Sequence, residues 1–152
     1  MERIPSEYVS CHLCPRACGA NRAAGVRGAC GATATLRVAR AALHFWEEPP
    51  ISGEAGSGAI FFSACTLRCV FCQNAQISSG NFGADVSVAR VAQMMLELEA
   101  QGALNINLVT PGHFAPQVVE AVRMARDAGL SIPIVCNTGG YETLECVRLL
   151  SQ

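Results

Sequence analysis

Beyond residue 58, apolar and polar residues follow patterns that predict strands and helices in turn. Residues 59–62, "AIFF", are a short apolar run of the kind that forms a buried strand. In segment 86–102, apolar side chains recur at helical spacing, at Val88, Val91, Met95 and Leu98. The same reasoning predicts strands at 104–110 and 132–137, and helices at 116–129 and 141–152.

This alternation of strands and helices indicates βαβ units and a parallel sheet. The loops that follow the strands then lie at the carboxyl edge, where such folds place their chemistry. Three βα units are half of a small barrel, so we predict an α/β fold with a partial, TIM-like (β/α)6 barrel over residues 51–152. Because the sequence stops within its third helix, we expect an open sheet edge and a weak or inactive enzyme.

Residues 1–50 have a different character, with many Cys, Gly, Ala and Arg residues and little periodicity. Such a segment is better held by a metal than by a packed core of its own, which predicts a small Cys-rich, metal-binding lobe. The stretch "EEPPISGEAGSG" (47–58) reads as a connector, since its prolines and glycines interrupt regular structure.

Composition excludes several classes of protein. A net charge of -1 predicts no nucleic-acid partner, and no window approaches the ~18 apolar residues of a membrane span. The start of the chain has no pattern of a secretory signal, so we expect a cytoplasmic protein. Nine cysteines, an odd number in short clusters, then favour metal binding over disulfides.

The stretch "SACTLRCVFCQN" (63–74) places Cys65, Cys69 and Cys72 in the spacing C-x3-C-x2-C. Three thiolates can hold three corners of a cubane iron–sulfur cluster and leave the fourth iron open for chemistry. The alternatives are a structural metal site and buried free thiols.

These residues resemble the signature of the radical S-adenosylmethionine superfamily, C-x3-C-x-aromatic-C on the loop after the first barrel strand. Phe71 stands at the aromatic position, and the "AIFF" strand precedes the motif. More narrowly, the chain is similar to uncharacterised relatives of pyruvate formate-lyase activating enzyme from about residue 11 onward. That resemblance rests on "CHLCPRACGANR", "ALHFWEEPPISGE", "CVFCQN", "NINLVTPGH" and "IVCNTGGYE".

The resemblance implies a 4Fe–4S cluster on Cys65, Cys69 and Cys72, with S-adenosylmethionine chelating the fourth iron. One electron, from a donor such as flavodoxin or ferredoxin, would cleave the cofactor to methionine and a 5′-deoxyadenosyl radical that removes hydrogen from a substrate. That substrate is a protein or a small molecule, which the resemblance leaves open. Phe71 would lie near the adenine.

The N-terminal cysteines have the spacing C-x2-C-x3-C-x11-C, which offers four ligands and predicts a closed site. Zinc and a second iron–sulfur cluster both fit Cys11, Cys14, Cys18 and Cys30, and a reduced thiol-rich loop is the alternative. The resemblance favours iron–sulfur. His12 is a spare ligand or, by the simpler interpretation, a solvated side chain.

Three further residues follow the later strands. The loop "TPGH" (110–113) stands where activating enzymes carry a Gly-Gly-Glu motif that binds the methionine amino group, but it lacks the acid. The resemblance implies that Thr110 or backbone carbonyls replace the acid, and that His113 lies near the substrate unless it is an exposed turn residue. Asn137 would meet the cofactor or serve as a polar turn residue.

Cys136 and Cys146 fall in strand and helix patterns, so we expect both to be small buried side chains. Two other functions remain open for the whole chain. One is a truncated, non-catalytic fragment that binds a cluster, and the other is a zinc-binding structural module.

Overall fold

The computed structural model describes residues 4–46 and 48–152. Five strands form one sheet: β1 (Arg37–His44), β2 (Ser57–Phe62), β3 (Ala84–Asp85), β4 (Ile106–Val109) and β5 (Ile134–Asn137). The described residues form five α-helices: α1 (Pro49–Ser52), α2 (Ala75–Ser78), α3 (Val88–Ala100), α4 (Ala115–Asp127) and α5 (Leu144–Leu150). Short 3-10 turns occupy Ser6–Tyr8, Arg22–Ala24 and Gly112–Phe114.

The sheet is open and mixed, with the strand order β3-β1-β2-β4-β5. Strands β2, β4 and β5 run parallel, and α3 and α4 connect them, as the sequence predicts. The α/β class is therefore confirmed. Strand β1 runs antiparallel to both β2 and β3, so the sheet is not purely parallel.

The prediction for residues 1–50 missed strand β1, which pairs with β2 from Val38 to His44. Its sequence, "RVARAALH", mixes arginines and alanines and shows no strict alternation of buried and exposed positions. Backbone pairing on both sides holds this strand, and such long-range pairing leaves no local pattern in the sequence.

Local signals explain the two long helices. Helix α3 begins after Ser87, whose side chain accepts a hydrogen bond from the Arg90 N–H, and it buries the apolar face that the spacing predicts. Helix α4 carries Pro116 in its first turn, and Gly129 follows its end at φ 106°. The main core lies between these helices and the sheet. None of the helices in the described part of the chain is long and apolar enough to cross a membrane.

The N-terminal segment (residues 4–36) adds a second, smaller core built from Tyr8, Cys11, Leu13 and Ala34. This segment is tied to the last two helices. The Tyr8 hydroxyl donates to Gln117 Oε1 of α4 at 3.0 Å, and Thr143 Oγ1, at the start of α5, donates to the Leu13 carbonyl at 3.3 Å. The N-terminal segment is thereby held against α4 and the start of α5.

Candidate metal centres

The cysteine loop (residues 63–74) connects β2 to α2 at the carboxyl end of β2. Its three thiols, Cys65, Cys69 and Cys72, are all half-buried. Ala64 and Arg68 have φ values of 72° and 54°, in the left-handed region, and the Cys72 N–H donates to the Cys69 carbonyl at 3.1 Å. These features bend the loop tightly around its cysteines.

The donor chemistry of the cysteine loop fits a soft metal or an iron–sulfur cluster, because the loop offers three thiols and no carboxylate. Ser78 Oγ donates to Cys72 Sγ at 3.5 Å, in the way that outer groups orient a metal ligand. Within residues 4–46 and 48–152, no three Cys, His, Asp or Glu side chains are grouped closely enough to hold a metal ion. Convergence of the three sulfurs would therefore need the metal itself.

Two apolar side chains at the tip of the cysteine loop face solvent. Val70 is fully exposed, and Phe71, the residue at the aromatic position of the motif, is 86% exposed. A large apolar side chain that covers no protein surface is available to cover a ligand.

The loops after β4 and β5 lie at the same edge of the sheet. The Thr110 N–H donates to the Asn137 carbonyl at 2.8 Å, so two of the residues predicted to bind the cofactor are directly joined. A Cβ at Gly139 would collide with Leu67 of the cysteine loop, so the "NTGG" turn packs against that loop. The three loops thus meet, as parallel strands require.

Thr110 adopts φ 58°, a conformation that is unusual for a β-branched residue. The bond to Asn137 holds it there, although the strained conformation costs on the order of 1–3 kcal/mol. Strained backbone of this kind often occurs at functional sites, so the turn is a candidate part of the site.

His113 lies in the interior, with 2% of its surface exposed, so the interpretation as an exposed turn residue is wrong. Its Nε2 donates to the Ser63 carbonyl at 2.8 Å, and burial lowers its pKa from 6.5 to about 4. The neutral ring thus supports the start of the cysteine loop.

Glu142, which the sequence analysis passed over, lies beside the "TPGH" turn. A Cβ at Gly112 would lie 3.1 Å from Glu142 Oε1, so the glutamate side chain approaches this turn closely. The loop after β5 thus brings a carboxylate to the place where the sequence of the β4 loop lacks one. Thirty residues of chain separate the two positions, so no local motif marks the pair.

The four-cysteine group of the N-terminal segment is more enclosed than the cysteine loop. Cys11 and Cys30 are buried, Cys14 is half-buried and Cys18 is exposed. A Cβ at Gly28 would lie 3.5 Å from Cys30 Sγ and 3.6 Å from Cys18 Sγ, so these two thiols flank the same glycine.

The surroundings of these thiols differ. Backbone N–H groups of Ala29 and Ala20 hydrogen-bond Cys18 and lower its pKa, whereas burial raises the pKa of Cys30. Cys11 and Cys14 also raise the pKa of Cys30, which places all three in one electrostatic neighbourhood. The chemistry of four thiols with one open side fits zinc or an iron–sulfur cluster.

Two arginines join the N-terminal segment to the carboxyl edge, and the sequence offered no signal for either role. Arg16 Nε donates to the Thr66 carbonyl of the cysteine loop at 2.6 Å. Arg22 is buried and donates to the His113 carbonyl at 2.6 Å. The two cysteine groups are therefore connected through side chains of one segment.

The expectations for Cys146 and His12 are confirmed, and the expectation for Cys136 is not. Cys146 is buried as expected, and burial, with a smaller contribution from Glu142, raises its pKa to about 12. Cys136 is exposed, so the expectation of a buried side chain is wrong: it stands near the end of the edge strand β5. His12 is exposed, in agreement with the solvated interpretation.

Comparison with known proteins finds a distant relative of the chain. The chain is 28% identical over 149 residues to an uncharacterised protein of Methanocaldococcus jannaschii. The match covers 94% of this chain and 42% of the relative, so the chain spans less than half of the relative's length. No protein-family model matches the chain. No solved structure matches it either.

Proposed function

We propose that the chain carries the cluster-binding part of a radical S-adenosylmethionine enzyme, similar to the activating enzymes of pyruvate formate-lyase. The observation that carries this proposal is the position of Cys65, Cys69, Phe71 and Cys72. They follow β2 at the edge where the loops of two further parallel strands also meet. In this proposal β2-α3-β4-α4-β5-α5 is the first half of a (β/α)6 barrel.

The three thiols would hold three irons of a 4Fe–4S cluster. When bound, that cluster would supply one electron for cleavage of S-adenosylmethionine to methionine and a 5′-deoxyadenosyl radical, which abstracts hydrogen from a substrate. A one-electron donor such as flavodoxin or ferredoxin would be the redox partner. The four-cysteine group would hold zinc or a second iron–sulfur cluster.

The residues of the chain would bind and orient the cofactor. Phe71 is free to cover the adenine, because 86% of its surface is exposed. Glu142, beside Gly112, offers a negative charge to the methionine amino group in place of the missing acid of the β4 loop. Thr110 and Asn137 would contact the cofactor from the joined ends of β4 and β5.

The principal test is anaerobic reconstitution of the chain and of the triple variant Cys65→Ala, Cys69→Ala, Cys72→Ala. We expect the parent to gain a cluster whose paramagnetic resonance, once reduced, changes on addition of S-adenosylmethionine. The triple variant should lose that signal and keep the metal of the four-cysteine group. Cys136→Ala, an exposed cysteine outside the motif, is the matched control. A triple variant with the iron content and spectrum of the parent would refute the assignment.

Glu142→Gln tests the cofactor contact separately. A hydrogen bond to a charged group contributes about 1.5–3 kcal/mol, so we expect binding of S-adenosylmethionine to weaken about 10- to 100-fold, with no change in iron content. Glu145→Gln, an exposed acid of α5, is the control. Equal affinities of the parent and Glu142→Gln would exclude this role.

A further inference from the structure

Arg22 is a charged side chain in a fully enclosed position. It is 1% exposed, and its guanidinium lies 4.1 Å from the centroid of the Tyr8 ring and 5.4 Å from that of Phe114. Cation–π contacts of this kind stabilise a desolvated cation, and the two rings also keep water away from it.

The hydrogen bonds of Arg22 go to neutral acceptors. Nε and Nη2 donate to the Thr33 carbonyl at 3.1 and 2.8 Å, and Nη1 donates to the His113 carbonyl at 2.6 Å. Nη1 also donates to Cys11 Sγ at 3.6 Å. In residues 4–46 and 48–152, no carboxylate forms an ion pair with Arg22.

A buried charge without a counter-charge costs several kcal/mol, so proteins rarely contain one. Here the missing negative charge has an evident source. Cys11 belongs to the four-cysteine group, and four thiolates around a divalent zinc ion, or around a 4Fe–4S cluster, carry a net negative charge. The N–H···S contact already directs the guanidinium at one of those sulfurs.

We propose that Arg22 is the buried counter-cation of a metal–thiolate centre formed by Cys11, Cys14, Cys18 and Cys30. Its Nη1–H···Sγ bond positions Cys11 as a ligand. This role rests on the metal-binding part of the proposed function and is independent of radical chemistry. Arg22 thus acts through Cys11 as a positioning residue, in the way that outer groups orient and tune metal ligands.

The test uses the full chain with Cys65, Cys69 and Cys72 replaced by Ala, so that the four-cysteine group reports alone. Co²⁺ is the probe, because its thiolate complexes absorb strongly, and a competing chelator gives the affinity. Removing an outer partner of a ligand typically costs 10- to 100-fold in affinity, and we expect a loss in that range for Arg22→Met. Arg27→Met, an exposed arginine of the same segment, is the matched control and should bind Co²⁺ as the parent does.

Thermal unfolding with and without Co²⁺ separates this role from a purely structural one. Loss of the bonds to Thr33 and His113 should lower the midpoint of both forms alike, whereas loss of the counter-charge should also shrink the increase that Co²⁺ produces. Arg22→Lys, which keeps the charge, should recover part of that increase. Should Arg22→Met fail to fold, the affinity of Arg22→Gln gives the same comparison.

Three outcomes overturn the proposal. Equal Co²⁺ affinity in the parent and Arg22→Met would show that the centre exists without needing Arg22. Identical downward shifts of both unfolding midpoints would make Arg22 structural. A parent that binds no Co²⁺ would remove the four-cysteine centre, and with it the role of Arg22, while leaving the cluster of the cysteine loop to its own test.

Discussion

The four-cysteine group and the cysteine loop hold the same kind of ligand in opposite surroundings. In the N-terminal segment, Cys11 and Cys30 are buried beside a buried arginine. In the cysteine loop all three thiols are half-buried, and the neighbouring Val70 and Phe71 are exposed. Two of the four N-terminal thiols are buried, although Cys18 is exposed, whereas none of the thiols of the cysteine loop is buried.

In the proposed function, this difference would separate a structural metal site from one that binds a reactant. Four protein ligands leave no position for a reactant, whereas three ligands leave one. The two groups nevertheless touch, because Arg16, between Cys14 and Cys18, bonds the Thr66 carbonyl between Cys65 and Cys69.

Metal removal should produce the largest difference between the two groups. Structural zinc binding contributes on the order of 10 kcal/mol to folding, so we expect the variant Cys11→Ala, Cys30→Ala to lose the fold of residues 4–36. Limited trypsin digestion with mass spectrometry measures this as rapid cleavage after Arg16 and Arg27. The variant Cys65→Ala, Cys69→Ala is the control and should stay resistant at those sites. Equal resistance of the parent with and without metal would contradict an enclosed, structural centre.

Phe114→Ala should produce the next largest loss of stability, because this side chain packs between β2 and Arg22 of the N-terminal segment. Its ring is 1% exposed, lies 6.1 Å from that of Phe62 in β2, and stands 5.4 Å from the Arg22 guanidinium. Truncating a buried phenylalanine costs about 3–5 kcal/mol of unfolding free energy, and we expect a loss of that size in urea titrations. A loss below ~1 kcal/mol would contradict the packing of Phe114 between Phe62 and Arg22.

His113 should make the free energy of unfolding depend on pH. Burial lowers its folded pKa from 6.5 to about 4, so between these values the unfolded chain binds a proton that the folded chain does not. Stability due to the neutral ring is therefore complete above pH 6.5 and is lost as the pH falls towards 4. At 1.36 kcal/mol per pKa unit, the loss is about 3 kcal/mol.

The measurement is the free energy of unfolding from pH 7 to pH 4 for the parent and His113→Gln. The gap between them should shrink as the pH falls, since glutamine retains an N–H donor but does not titrate. His12→Gln, which replaces an exposed histidine, should follow the parent. Parallel curves for the parent and His113→Gln would show that the ring is not held neutral.

The parts of this molecule that the sequence predicts are those with a local signal. Helix α3 was predicted at 86–102 and spans Val88–Ala100, because apolar spacing and a serine cap lie within the helix itself. Strands β4 and β5 were predicted for the same reason. Strand β1 was missed, since it depends on backbone pairing with β2, and β3 is too short to have a pattern.

The same limit applies to the candidate centres. The spacing of the cysteines can be read directly, but the surroundings that distinguish the two groups cannot. Arg22 reaches a carbonyl that is 91 residues away, and Glu142 approaches Gly112 from the loop of another strand. Burial reversed the expectations for His113 and Cys136, because the position of a side chain relative to the sheet depends on the whole fold.

Phe71→Ala should have the smallest effect on stability and so gives the sharpest contrast with Phe114→Ala. The same truncation is made in both cases, but Phe71 is 86% exposed and buries little surface. Substitutions at such positions usually change the unfolding free energy by less than about 0.5 kcal/mol, and we expect that result in urea titrations. Binding of S-adenosylmethionine to the reconstituted protein should weaken, because an aromatic ring over the adenine contributes on the order of 1 kcal/mol. Val70→Ala, at the neighbouring exposed position, controls for loss of apolar surface on the loop. If Phe71→Ala lowers the free energy of unfolding as much as Phe114→Ala does, the Phe71 ring packs on protein. The cysteine loop would then not be more open than the four-cysteine group.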